Sequence, residues 1–147
     1  MIGARSLGGS DGNDRPDFFH GLLLWAAAIA LGHFIVILVH LWLVVRIQPS
    51  FPRSAIPGLI LVNLLPVAGA LALRMGYRKL AALSIGIPLL IGFLIGTYSH
   101  FLSSGTDNVL RMAAGELTLP FQMSAVLLVL LEALGFWVSV RTLTHRT

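Results

Sequence analysis

The chain has 147 residues, of which 56% are hydrophobic and only 11% are charged. Soluble domains carry roughly 25% charged residues, so this composition excludes a soluble protein and predicts an integral membrane protein of one domain. The 10 Lys and Arg residues exceed the 6 Asp and Glu residues, but they are scattered between apolar segments and form no basic stripe that could follow phosphates. Nucleic-acid binding is therefore not expected. The absence of cysteine excludes disulfides and thiolate metal sites.

Polar residues at the start of the chain are followed by four long apolar runs. Residues 1–17 are predicted to be a disordered tail, because a glycine-rich polar segment buries too little apolar surface to offset its ordering entropy. Residues 18–147 then form a single domain. At about 1.5 Å per residue each apolar run can cross a hydrocarbon core of about 30 Å. We predict an all-α integral membrane protein, a bundle of four transmembrane helices with up-down-up-down topology, with spans at about 21–45, 55–73, 80–102 and 120–140.

The third connection is longer than the others and faces away from the two termini. A short helix is predicted there from Asp107 to Ala114, since Asp107 can cap free N–H groups and Gly115 suits the helix stop. Seven basic residues lie on the side of the termini and three on the other side. The positive-inside rule therefore predicts cytoplasmic termini in a bacterial-type inner, or plasma, membrane.

Three polar residues lie near the middle of the predicted spans. Counted from the span ends nearest the long connection, His33 and Glu132 each lie about 18 Å deep and Asn63 about 12 Å deep. A charged side chain at the bilayer centre costs about 2.5–3.5 kcal/mol on insertion scales, so Glu132 requires a partner. The first and fourth helices of an up-down bundle are neighbours, and we expect His33 and Glu132 to form a buried polar pair with Asn63 at the same level.

Two interpretations of this pair stay open. It is either a structural clasp that fixes which helix faces which, since polar side chains join helices in membranes, or a site that binds and releases protons. A second constellation, His40 and His100, lies nearer the long connection. Two histidines at similar depth can ligate a metal or the iron of a haem or another tetrapyrrole, although their default role is in bundle packing, and no cofactor is expected.

Small residues mark one face of the third span. Gly92, Gly96 and Ser99 share this face, which favours close approach of another helix. That helix belongs either to this chain or to a second subunit. Gly69 on the second span is suited to the same role.

Three functions remain, in order of preference. The first is an accessory or interaction subunit of a membrane assembly, in contact with another membrane protein or with a second copy. The second is a proton-coupled transporter of small solutes using Glu132 and His33. The third is an electron-transfer or pigment-binding subunit using His40 and His100. No phosphate-binding loop, HExxH or GxSxG motif is present, so we expect no independent enzyme.

Overall fold

Four long helices make up most of the protein. The computed structural model describes residues 15–48, 50–105 and 108–144, with side chains described from His20 onward. The helices are α1 (Arg15–Ile47), α2 (Ile56–Arg74), α3 (Arg78–Thr97) and α4 (Thr118–Thr144). A 3₁₀ turn, Arg53–Ala55, leads into α2, and a π-helical turn, Tyr98–Leu102, extends α3.

Each of these helices is long and apolar enough to cross a membrane. The four candidate spans have mean hydropathies between 2.1 and 2.6 and cover His20–Ile47, Arg53–Arg74, Arg78–Leu102 and Thr118–Thr144. The predicted all-α bundle of four apolar helices is confirmed, and the spans support a multi-pass membrane protein.

Two predicted segments differ from the structure. The proposed tail lies mostly outside the described residues, but its last three residues, 15–17, already belong to α1. The predicted helix in the long connection is wrong for its described part, because residues 108–117 form turns and irregular chain. Asn108 makes two side-chain hydrogen bonds to the backbone of this segment. Its Oδ1 accepts from the Leu110 N–H at 2.9 Å, and its Nδ2 donates to the Ser103 carbonyl at 2.6 Å.

The tight turn between α2 and α3 depends on a glycine. Gly76 has a φ of +87°, a left-handed conformation that side chains with a Cβ rarely adopt. Its N–H donates to the Leu73 carbonyl, and the Tyr77 N–H donates to the Ala72 carbonyl. This pair of hydrogen bonds satisfies carbonyls that the helix end leaves free and reverses the chain direction within a few residues.

The helices form a closed ring in which each packs against its chain neighbours and α1 packs against α4. We call the end at which α1 begins and α4 ends the terminal end, and the opposite end, which carries the long connection, the loop end. One apolar cluster fills the terminal end and includes Leu73, Ile85 and Val138. Another fills the loop end and includes Leu43, Val109 and Phe121. The buried polar residues of the centre lie between these clusters.

Candidate functional site

His33 of α1 and Glu132 of α4 meet inside the bundle. The His33 Nε2 lies 3.4 Å from the Glu132 Oε1, and the two residues are only 1% and 6% exposed. The contact is an ion pair when the imidazole is protonated and a hydrogen bond when it is neutral. Its length exceeds the roughly 2.7–3.2 Å of a strong N–H···O bond, so this contact alone holds the two side chains loosely.

Two glycines of α3 provide the space for the carboxylate. A Cβ built on Gly92 would lie 2.5 Å from the Glu132 Oε1, and a Cβ built on Gly96 would lie 3.5 Å from the Oε2. The glycine face of α3 therefore receives a polar side chain of α4. Ser99, the third residue predicted on this face, is half-buried, and its carbonyl accepts a hydrogen bond from the Ser103 hydroxyl.

The hydrogen bonding at this level is incomplete. Among the described residues, three buried side-chain atoms lack a hydrogen-bond partner: His33 Nδ1, Glu132 Oε2 and Thr97 Oγ1. Buried polar atoms are normally paired, because leaving one unpaired costs about 1–3 kcal/mol. The imidazole and the carboxylate thus each have one atom in the contact between them and one atom without a hydrogen-bond partner.

Asn63 does not join this pair. It lies half-buried on α2, where its Nδ2 donates to the Leu59 carbonyl of the same helix at 2.8 Å. Residues 56–65, the loop-end half of α2, contain no buried residue, so this half contributes no side chain to the core. A similar depth in the sequence predicted proximity. Asn63 lies on the less exposed side of α2, with Ile60 and Val67, but its amide donates to its own helix and not to the pair.

His40 and His100 pack against each other near the loop end. Their ring centroids are 4.9 Å apart, with the edge of one ring toward the face of the other, and Phe121 stacks on His40 at 4.8 Å. His40 is buried, and its Nδ1 lies 2.9 Å from the Ser124 Oγ. The sequence did not predict Ser124 as a partner of His40, although Ser124 lies three residues after Phe121 on the inward face of α4.

This ring packing bears on the cofactor hypothesis. A tetrapyrrole held between two imidazoles places each ligating nitrogen about 2 Å from the metal on opposite sides, which separates the ring centres by about 6 Å. The two rings here are closer than that. In the described part of the chain no group of three or more His, Asp or Glu side chains is arranged to hold a metal ion.

Part of the long connection is hydrogen-bonded to the loop end of the bundle. The Val109 N–H donates to the His100 carbonyl at 2.9 Å, and the Gln122 Nε2 donates to the Val109 carbonyl at 2.6 Å. Val109 itself is 4% exposed. The connection is thereby attached both to the end of α3 and to the first turns of α4.

Other small residues bring the helices into close contact within the chain. A Cβ on Gly69 of α2 would lie 3.1 Å from the Ala81 carbonyl oxygen of α3, and a Cβ on Gly86 would collide with the Ser139 side chain of α4. The Ser139 hydroxyl donates to the Ala82 carbonyl at 2.7 Å. These glycines therefore pack against helices of the same chain.

Comparison with protein-family models, with curated proteins and with solved structures finds no match to this chain. A functional conclusion therefore depends on the chemistry of the buried side chains. A carboxylate beside an imidazole can exchange a proton, and the unpartnered Oε2 can accept a hydrogen bond from a further group.

Proposed function

We propose that this small membrane protein binds and releases protons at the Glu132 and His33 pair, as a proton-coupled transporter of small solutes does. The supporting observation is the incomplete hydrogen bonding of two buried titratable side chains, whose Oε2 and Nδ1 atoms have no partner among the described residues. Ionisable residues inside membrane helices are costly, and they commonly mark proton relays or substrate paths. This proposal places the function at the centre of the bundle.

A purely structural clasp accounts for less of the geometry. A clasp gains stability when both of its members are fully hydrogen-bonded, because a half-satisfied buried network is less stable than an apolar core. Here one contact of 3.4 Å joins the pair, and the far end of each side chain is unpaired. A proton site requires such spare hydrogen-bonding capacity, since both the protonated and the ionised carboxyl must be accommodated.

Infrared spectroscopy of the protein in lipid nanodiscs tests this proposal. A protonated carboxyl gives a C=O absorption separate from that of the carboxylate, and the band that disappears in Glu132→Gln belongs to Glu132. We expect this band to rise and fall reversibly with pH while the protein stays folded, and to respond to His33→Gln. A Glu132 band that is constant across the range in which the protein is folded would contradict proton binding.

A second candidate is an interaction subunit of a membrane assembly, and α2 is the observation that favours it. Its loop-end half carries Asn63 within a surface that has no buried residue. An amide both donates and accepts hydrogen bonds, so the Asn63 side chains of two copies can pair with each other across a two-fold axis. In this arrangement a second copy of the chain covers α2 and removes the amide from lipid contact.

A further inference from the structure

The space beside Gly96 adjoins both the Glu132 carboxylate and the His100 ring. A Cβ at this position would lie 3.5 Å from the Glu132 Oε2, 3.7 Å from the Val129 Cγ2 and 3.9 Å from the His100 Cδ2. These are ordinary van der Waals distances, so the missing side chain leaves an opening about the size of a methyl group. We call this opening the Gly96 slot.

The slot faces the unpartnered end of the carboxylate. The Cα–Cβ bond in a helix tilts toward the N terminus, and the N terminus of α4 lies at the loop end, so Glu132 leans toward Gly96 and away from the terminal end. Its Oε2 lacks a protein hydrogen-bond partner and the residue is 6% exposed. Apolar voids stay dry, whereas this opening has the Oε2 as a polar neighbour, beside the Val129 methyl and a ring carbon of His100.

The π-helical turn places His100 on the other side of the slot. His100 lies four residues after Gly96, and its ring carbon Cδ2, which is bonded to Nε2, is the imidazole atom nearest to the slot. The residue is half-buried and lies about one helical turn beyond Gly96 toward the loop end. Widened π turns of this kind are frequent at functional sites.

We propose that one water molecule bound in the Gly96 slot connects Glu132 with His100 and forms the route by which protons reach the central carboxylate from the loop end. This inference rests on the proposed proton binding by Glu132. The water donates one proton to the Oε2 and takes one from the protonated His100 imidazole, so the water is unchanged and the imidazole becomes neutral. The other titratable group at the carboxylate is His33 of α1. Residues 56–73 of α2 contain no titratable side chain.

Filling the slot tests the route. The Gly96→Ala methyl fits without displacing a neighbour, so the protein is expected to fold while the water is excluded. The matched control is Gly58→Ala on α2, where an added Cβ has no neighbouring atom within 4 Å. The measurement is the rate at which the infrared band of the protonated Glu132 carboxyl shifts after the protein in nanodiscs is mixed rapidly with D₂O.

We expect Gly96→Ala to slow this exchange by at least about tenfold and Gly58→Ala to leave it unchanged. Gly96→Ser is expected to restore part of the rate, because its hydroxyl stands in the slot and can donate to the Oε2. Unchanged exchange in Gly96→Ala, or a serine variant as slow as the alanine variant, overturns the water route.

The two proposals fail in different ways. If the Glu132 band titrates with pH but exchanges equally fast in wild type and Gly96→Ala, proton binding stands and the route is wrong. If no Glu132 band responds to pH, the proposed function is wrong, and the water route falls with it.

Discussion

Gly92 of α3 leaves the space in which the Glu132 carboxylate of α4 lies. A Cβ on Gly92 would be 2.5 Å from the Oε1 and 3.0 Å from the carboxyl carbon. Real Cβ atoms do not approach other atoms this closely, so any side chain at this position must displace the carboxylate or separate the two helices. The glycine and the glutamate thus depend on each other sterically.

The first prediction follows from this contact. Gly92→Ala is expected to lower the free energy of unfolding by about 1–3 kcal/mol, the usual cost of overpacking a well-packed interior. Gly58→Ala is the control, since it makes the same chemical change where no atom lies within 4 Å. Both are measured by unfolding in detergent micelles with increasing sodium dodecyl sulfate. Equal stability of the two variants would show that the carboxylate does not occupy this space or moves out of it at little cost.

The second prediction is energetic coupling between His33 and Glu132. Each single change to leucine leaves the other polar side chain buried and unpaired, at about 1–3 kcal/mol, whereas the double change removes both. We expect a coupling free energy of about 0.5–3 kcal/mol in a double-mutant cycle. The control cycle pairs Asn63→Leu with Glu132→Leu, since Asn63 bonds only to its own helix, and is expected to be additive. Additivity in the His33 cycle as well would mean that the 3.4 Å contact contributes nothing to stability.

The third prediction concerns Asn63 and self-association. Asn63→Leu is expected to change the stability of the monomer little, because the amide donates only to its own helix. It should weaken association by about 0.6–2 kcal/mol, measured by sedimentation equilibrium in detergent. Leu61→Ala is the control, as this exposed residue lies on the opposite side of α2. Wild-type protein that stays monomeric at all concentrations, or association unaffected by Asn63→Leu, argues against a second copy on this surface.

The fourth prediction concerns the loop-end histidines. Because the His40 and His100 ring centroids are only 4.9 Å apart, we expect protein purified from a haem-replete host to show no visible absorption band that depends on His40. The measurement is the absorption spectrum of wild type beside that of His40→Phe, which keeps a ring against Phe121. A strong band in the wild type that His40→Phe abolishes would revive tetrapyrrole ligation and require the rings to separate.

The fifth prediction is the orientation in the membrane. Ser104 at the loop end and Thr144 at the terminal end are both exposed, and the chain has no cysteine of its own. In intact cells an impermeant thiol reagent should label Ser104→Cys and leave Thr144→Cys unmodified until the cells are opened, as the distribution of basic residues predicts. The reverse pattern would place the termini outside.

The hydrophobic segments of the sequence are sufficient to predict the four helices. A chain that crosses the hydrocarbon core must satisfy its backbone hydrogen bonds internally, and an α-helix does so within a single segment. Helical spacing also predicts much of the inward faces. On α1, one stripe at helical spacing contains Leu22, Ala26, His33, Ile37, His40 and Val44, and all of these are buried except Ile37, which is half-buried. On α4, the spacing that predicts an inward stripe of Phe121, Ala125, Leu128, Glu132 and Ser139 also includes Phe136. That prediction is wrong for Phe136, which is 37% exposed, while its neighbour Gly135 is buried. There the helix approaches α3 closely and Leu89 takes the space beside the glycine.

The sequence predicts that His33 and Glu132 meet, because they lie at one depth on the first and fourth helices, which are neighbours in an up-down bundle, and the structure has this contact. Only the tertiary structure decides whether Asn63 joins them. The course of α2 leaves Asn63 half-buried, with its amide bonded to its own helix. Likewise, the sequence identifies a face of small residues at Gly92 and Gly96. Such a face can accommodate either the backbone or a side chain of a neighbouring helix. Their position opposite a buried carboxylate depends on how α3 and α4 are rotated against each other, which is set by the packing of all four helices together.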